Sequence, residues 1–189
     1  MLMIDLATCL STIPDRRRAE GKMYGQVGVI LFSIIAMVSG ARSYRQIHAL
    51  IKTRLGLLNA AYPAIALRRA PAYTSVRGIL QGLDPNELEQ AFRRHADGLD
   101  QACADKPSRF IAIDGKTLRQ SFDAFADRKA AHVLSAFAVD HKIILAHEVV
   151  DDKSNEIPAA QTLIAAMNLT GRVFTFDAMH CQKNTSDRP

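Results

Sequence analysis

The chain has 189 residues, 48% apolar and 23% charged, with ten glycines and seven prolines. This composition supports a packed core and excludes a fibrous protein, a disulfide-stapled miniature and a mostly unfolded tail. Of the net charge of +5, residues 1–105 carry +4 (13 basic, 9 acidic groups) and residues 106–189 carry +1 (11 basic, 10 acidic). A basic surplus in the first part suits a polyanion such as nucleic acid, and equally a solvated helical surface.

The cysteines Cys9, Cys103 and Cys181 are odd in number, far apart and form no CxxC pair. Free thiols in a reducing cytosol are therefore expected, so the chain reads as cytoplasmic. His180 beside Cys181 is half of a metal-ligand pattern, but no second pair at ligand spacing completes it. The apolar stretch Val27 to Val38 spans 12 residues. A membrane span needs about 20, so a buried helix is expected there, with no membrane partner. No basic start followed by an apolar block marks a signal peptide.

In chain order, residues 1–21 read as irregular, with Pro14 and the basic run Arg16, Arg17, Arg18. Residues 22–40 read as a buried helix closed by Gly40. Over 43–55, Ile47, Leu50, Ile51 and Leu55 fall on one helical face, with Arg45, Lys52 and Arg54 turned outward. Residues 56–71 read as a loop punctuated by Gly56, Pro63 and Pro71. A third helix is expected over 74–83, built on Val76, Ile79, Leu80 and Leu83. A fourth starts with Asp84 as cap, Pro85 at the first helical position and Glu87 completing a capping box. It fades near Cys103, and residues 105–108 read as a linker.

The period then changes. Phe110 to Ile113 is a short apolar strand ending at Asp114-Gly115. His132–Val139 and Lys142–Val150 read as strands joined by a turn at Asp140-His141. Ser154 or Asn155 caps a helix carrying Ala160, Leu163, Ile164 and Met167, which Gly171 ends. Residues 172–176 form a fourth strand, ending at Asp177. The second half is thus β-β-β-α-β, and the fold class is α/β. Asp114 and Asp177 share one position, each at the end of an apolar strand. A carboxylate there is costly unless paired, hydrogen-bonded or metal-bound. Ligands gather at the carboxyl ends of strands in an open sheet. If the two strands are parallel neighbours, both acids reach one ion, and Mg²⁺ favours carboxylates with phosphate oxygens. Two turn-capping aspartates are the bland alternative.

The strand order with these two acids resembles that of the RNase H-like fold. Ile113-Asp114-Gly115-Lys116, residues 132–137 (His-Val-Leu-Ser-Ala-Phe), residues 152–157 (Asp-Lys-Ser-Asn-Glu-Ile) and residues 176–183 (Phe-Asp-Ala-Met-His-Cys-Gln-Lys) strongly resemble bacterial insertion-sequence transposases of the DDE type, in the subgroup of the H-repeat-associated proteins. Ile13-Pro14-Asp15-Arg16 and Gly21-Lys22-Met23-Tyr24 resemble the opening of that family's associated N-terminal domain. The resemblance implies a helical domain over 1–105 and the first half of a DDE core, an incomplete RNase H-like mixed sheet, over 106–189. It implies catalytic and metal-holding roles for Asp114 and Asp177 with Mg²⁺ or Mn²⁺. It also implies double-stranded DNA as partner, at element ends and target, with a homo-oligomer left open. Arg45, Lys52, Arg54, Lys116 and Lys183 are the candidate DNA contacts.

Lys153, Asn155, Glu156, His180 and Gln182 also lie in the matching motifs, without individual roles. Members of the family are longer and carry a third acid, a glutamate, on a late helix. Twelve residues follow Asp177 here, so the expectation is a truncated copy, inactive alone, with enzyme status open. The competing readings are a regulatory DNA-binding fragment that occupies element ends, using helices 43–55 and 74–83 as a helix-turn-helix, and a translated remnant without function.

Overall fold

A computed structural model describes residues 5–102, 108–118, 130–150 and 156–176. The chain divides into two compact units, Ile4–His95 and a second from Ala96 onward.

The first unit is helical. Its short helix α1 (Leu6–Leu10) lies in the stretch expected to be irregular. The local cause is Asp5, whose carboxylate accepts the Thr8 N–H at 2.7 Å. That cap puts Cys9 and Leu10 into the core. Helix α2 (Gln26–Val38) is the centre of the unit, with Val29, Ile30, Leu31, Phe32 and Ala36 buried. The only hydroxyl there, Ser33, is satisfied by donating to the Val29 carbonyl at 2.6 Å. Gly40 ends the helix as expected, at φ +99°. The Gly40 N–H reaches the Met37 carbonyl and the Ala41 N–H reaches that of Ala36, both at 2.9 Å. This paired closure needs a left-handed residue at Gly40.

Helix α3 runs Tyr44–Ala61, six residues past its expected end. Gly56 costs about 1 kcal/mol against alanine in a helix, but Leu58, beyond it, is buried and holds the last turns in place. The segment 62–72 holds a 3-10 turn, Pro63–Ile65. Asn59 pins it by accepting the Leu67 N–H at 2.9 Å and donating to the Leu67 carbonyl at 2.8 Å. Helix α4 (Tyr73–Gln81) follows. The eleven-residue connection of 62–72 rules out the tight three- to four-residue turn of a helix-turn-helix between α3 and α4.

Helix α5 spans Pro85–Ala102. Asp84 caps it as expected, accepting the Asn86 N–H at 2.8 Å. Glu87 does not close a capping box. Its two oxygens take both Arg16 amino groups, at 2.6 and 2.9 Å, because a bidentate guanidinium outcompetes a single backbone amide.

The second unit holds a four-stranded mixed sheet in the order β3-β2-β1-β4, from β1 (Phe110–Thr117), β2 (His132–Ala138), β3 (Ile143–Val150) and β4 (Val173–Phe176). β1–β2 and β2–β3 are antiparallel, and β1–β4 is parallel. Helix α6 (Glu156–Met167) is the crossover between β3 and β4 and packs on β3 and β2. Its Ala160 and Leu163 are buried, as are Ile111, Ile113, Leu134, Ala136, Ala138 and Leu145 of the sheet. The element order is the expected β-β-β-α-β, and the class is α/β. Two boundaries differ by more than one residue. Helix α6 ends with Asn168 at φ +47°, ahead of Gly171 at φ +71°. β1 continues through Asp114 to Thr117, because β2 goes on pairing with it: Asp114 faces Ser135, Lys116 faces Val133 and Thr117 faces His132. The cap residues Ser154 and Asn155 lie outside the described residues.

Candidate functional site

Asp114 therefore sits within a strand rather than at its end. Side chains alternate across a strand, so its neighbours Ile113 and Gly115 point to the opposite face. Ile113 is buried, while Asp114 and Lys116 are exposed. Cross-strand partners share a face. Asp114 is opposite Ser135, and Ser135 is opposite His147, so the three lie in one lateral row across β1, β2 and β3. The next row is Lys116, Val133 and Val149. A bulge in β3 sets this alignment. Ala136 faces Ala146 but Phe137 faces Ile144, which makes Leu145 an extra residue.

The opposite face explains the glycine between Asp114 and Lys116. A Cβ on Gly115 would meet His132 Nε2 at 3.0 Å and Leu134 Cδ2 at 3.2 Å. The His132 ring lies against that bare backbone, with Nδ1 3.1 Å from the Thr117 hydroxyl. Asp114-Gly115-Lys116 thus combines an exposed acid, a packing gap and an exposed base.

On the far side of β1, Phe110–Ile113 pair in parallel with Val173–Phe176, and Ile113 is opposite Phe176. Asp177 is next in the sequence and lies outside the described residues, as do Lys183, Lys153, His180 and Cys181. Among the described residues no group of three or more His, Cys, Asp or Glu side chains is placed to hold a metal, and no helix is long and apolar enough to cross a membrane. Of the other DNA candidates, Arg45, Lys52 and Arg54 are all exposed on α3. Arg45 and Lys52, seven residues apart, fall within about 20° on the helix, whereas Arg54 lies about 180° from Arg45.

A polar cluster without a sequence signal lies where β1 and β4 begin. Asp100, near the end of α5, is 2% exposed. Its carboxylate takes His141 Nδ1 at 2.6 Å, an Arg172 amino group at 2.9 Å and the Ser108 N–H at 3.3 Å. Arg172 also donates to the Ser108 carbonyl. Asp140 accepts the Arg109 N–H at 2.7 Å and the Ser108 hydroxyl at 3.0 Å. The Arg109 amide first, and then the Ser108 hydroxyl, hold the Asp140 carboxyl below its usual 3.8. A carboxyl lowered by folding stabilises the native state above its unfolded pKa and loses that contribution as pH falls through the folded value. Stability followed by circular dichroism should therefore fall in the wild type as pH drops below about 4. Asp140→Asn should flatten the stability profile below pH 4. An unchanged profile would show that these bonds are equally available in the unfolded chain.

Residues 7–96 match the family model described as DDE_Tnp_1-associated. Over 95% of its length the chain is 32% identical to the "Putative protein YbfL" of Escherichia coli K12 and 30% identical to the "H repeat-associated putative transposase YhhI" of that strain. It spans about half of each, 46%. Against the "H repeat-associated putative transposase YbfD" of the same strain the identity is 30%, covering 95% of this chain and 69% of that protein. No solved structure matches. With residues 7–96 carrying the transposase-associated domain and the rest aligned to the same relatives, the chain belongs to the H repeat-associated protein family.

Proposed function

We propose that this chain acts in DNA transposition. In this reading residues 1–105 are the helical domain that engages DNA. Residues 106–189 supply the β-β-β-α-β part of an RNase H-like DDE core, with Asp114 and Asp177 as its acids. One observation carries the reading. β1 and β4 are parallel neighbours with Ile113 opposite Phe176, and the residues that follow this pair in sequence are Asp114 and Asp177. Aspartate carboxylates are the hard oxygen donors that Mg²⁺ and Mn²⁺ take, so the donor set fits the ion. Such an ion supplies charge stabilisation at a phosphodiester. The chain's own contribution is to hold the Asp114 carboxylate on a paired strand. In this reading Lys116, two residues on and on the same face, contacts a DNA phosphate.

The second reading is a DNA-binding fragment that occupies element ends without cutting. The +4 surplus of residues 1–105 favours it. Mn²⁺ binding by the purified polypeptide, measured by calorimetry, separates the two. Asp114→Asn should weaken it at least about tenfold, since even residues one shell out from a metal typically cost 10–100-fold. Unchanged affinity, or duplex binding without any metal binding, would leave the second reading in place.

A further inference from the structure

We infer that the cleft between the N-terminus of α3 and Tyr73 binds an unpaired DNA nucleotide. This deepens the proposed DNA role and rests on it. The cleft has a volume of about 560 Å³ and is lined by Met37, Arg42, Tyr44, Arg45, Ile47 and Tyr73, among others, with no acidic side chain in its wall. Its size is in the range of small-ligand sites. The Arg45 guanidinium lies over the Tyr73 ring, 5.8 Å from the centroid.

Among the described residues Arg42 and Arg45 keep their charge uncompensated, unlike three other arginines of the same unit. Arg16, Arg17 and Arg93 of the same unit are each neutralised by a carboxylate, from Glu87, Asp15 and Glu89. Among the described residues neither Arg42 nor Arg45 has a carboxylate partner, and both are exposed. The cleft therefore offers two unneutralised cations at its rim and an apolar, aromatic wall. A duplex backbone presents phosphates and would use only the rim. A splayed nucleotide presents a phosphate and a base face together and uses both, by phosphate contact and by stacking. Cutting and joining strands exposes unpaired ends, so such a ligand arises within the proposed function.

The test uses the full chain, with a labelled dT₁₂ strand and a mixed-sequence 12-bp duplex in anisotropy titrations at one salt concentration. Tyrosine emission is a second readout, because the chain has no tryptophan and its tyrosines are Tyr24, Tyr44, Tyr62 and Tyr73, all in the first unit. dT₁₂ should bind and quench that emission. Tyr73→Leu should weaken dT₁₂ binding about five- to hundredfold, the range for losing one stacked base. It should change duplex binding less than twofold, and Tyr73→Phe should restore wild-type affinity. Arg45→Ala, on an exposed position, is the variant least able to disturb folding. It should lower the single-strand salt slope by about 0.7. Duplex binding that persists while Tyr73→Leu and Arg45→Ala leave dT₁₂ binding unchanged would overturn this inference and spare the proposed function. Equal losses for strand and duplex would also overturn it, as a plain cationic surface. No binding of either DNA would overturn both.

Discussion

Asp100→Ala should lower the unfolding free energy of the sheet-bearing unit by about 3–5 kcal/mol, the cost typical of removing one partner from a buried charge pair. The side chains of Asp100, His141 and Arg172 are 3%, 9% and 10% exposed. Without the carboxylate, the Arg172 cation stays buried with only the Ser108 carbonyl as an acceptor described here. The Ser108 N–H loses its acceptor as well. The carboxylate ties the end of α5 to the entry of β1, the β2–β3 turn and the residue before β4. Its loss should loosen all of these together. Urea unfolding should show a lower midpoint with little change in slope. Hydrogen exchange should speed up at the amides around 108–113, 139–143 and 173. Asp100→Asn, which keeps the shape and some hydrogen bonding, should cost less. A loss below about 1 kcal/mol for the alanine variant would place the cluster with solvent-exposed ion pairs.

This cluster also marks the limit of what the sequence could disclose. Asp100, Ser108, Asp140 and Arg172 are spread over more than seventy positions, and each alone is an ordinary helix, linker or turn residue. Only the folded sheet brings them together. Local signals did better. The apolar run of α2, the Asp84-Pro85 start of α5 and the shift from helical to alternating periodicity after residue 108 gave the element order. Apart from α1, whose Asp5 cap is local, the misses came where a tertiary partner outweighed a local signal. Gly56 reads as a stop, but α3 continues because Leu58 is buried. Asp114 reads as the end of β1 because the apolar run stops there, yet a strand lasts as long as its neighbour pairs with it, and β2 pairs as far as Thr117.

The candidate site divides in the same way. Asp114 stood out because an acid directly after an apolar run is costly if buried, but the paired strand leaves it exposed. The row it shares with Ser135 and His147 was not legible. That row depends on the register of two strand pairs and on the bulge at Leu145, and a one-residue slip would send His147 to the opposite face. The direction of β4 was inferable from the α6 crossover; its place beside β1, at the edge opposite β3, was not. For the DNA candidates the sequence marked the charges and not their surface. Helical geometry puts Arg45 and Lys52 on one stripe and Arg54 on another. The nearer companions of Arg45 are Arg42 and Tyr73, the latter 28 positions along the chain.

Gly28→Ala and Gly56→Ala should move stability in opposite directions, although both place alanine within a helix. Taken alone, the exchange favours the helix by about 1 kcal/mol. At Gly56 a Cβ meets nothing within 4 Å, and the residue is exposed, so that gain should appear nearly in full. At Gly28 the same Cβ would lie 2.5 Å from the Ile65 carbonyl oxygen and 3.0 Å from Leu67 Cδ2. A backbone oxygen cannot rotate away as a side chain can. Either α2 or the Pro63–Ile65 turn must shift, and forcing an extra methyl into a packed core typically costs about 1–3 kcal/mol or more. Overpacking therefore outweighs propensity, and Gly28→Ala should destabilise the helical unit. The displaced segment also carries Arg68 and Arg69, and it holds Leu67 between the two hydrogen bonds of Asn59. Thermal unfolding followed by tyrosine emission, which reports on this unit alone, should show a lower midpoint for Gly28→Ala and a higher one for Gly56→Ala. A stabilised Gly28→Ala would mean that α2 and the 62–72 segment pack more loosely than the 2.5 Å approach implies.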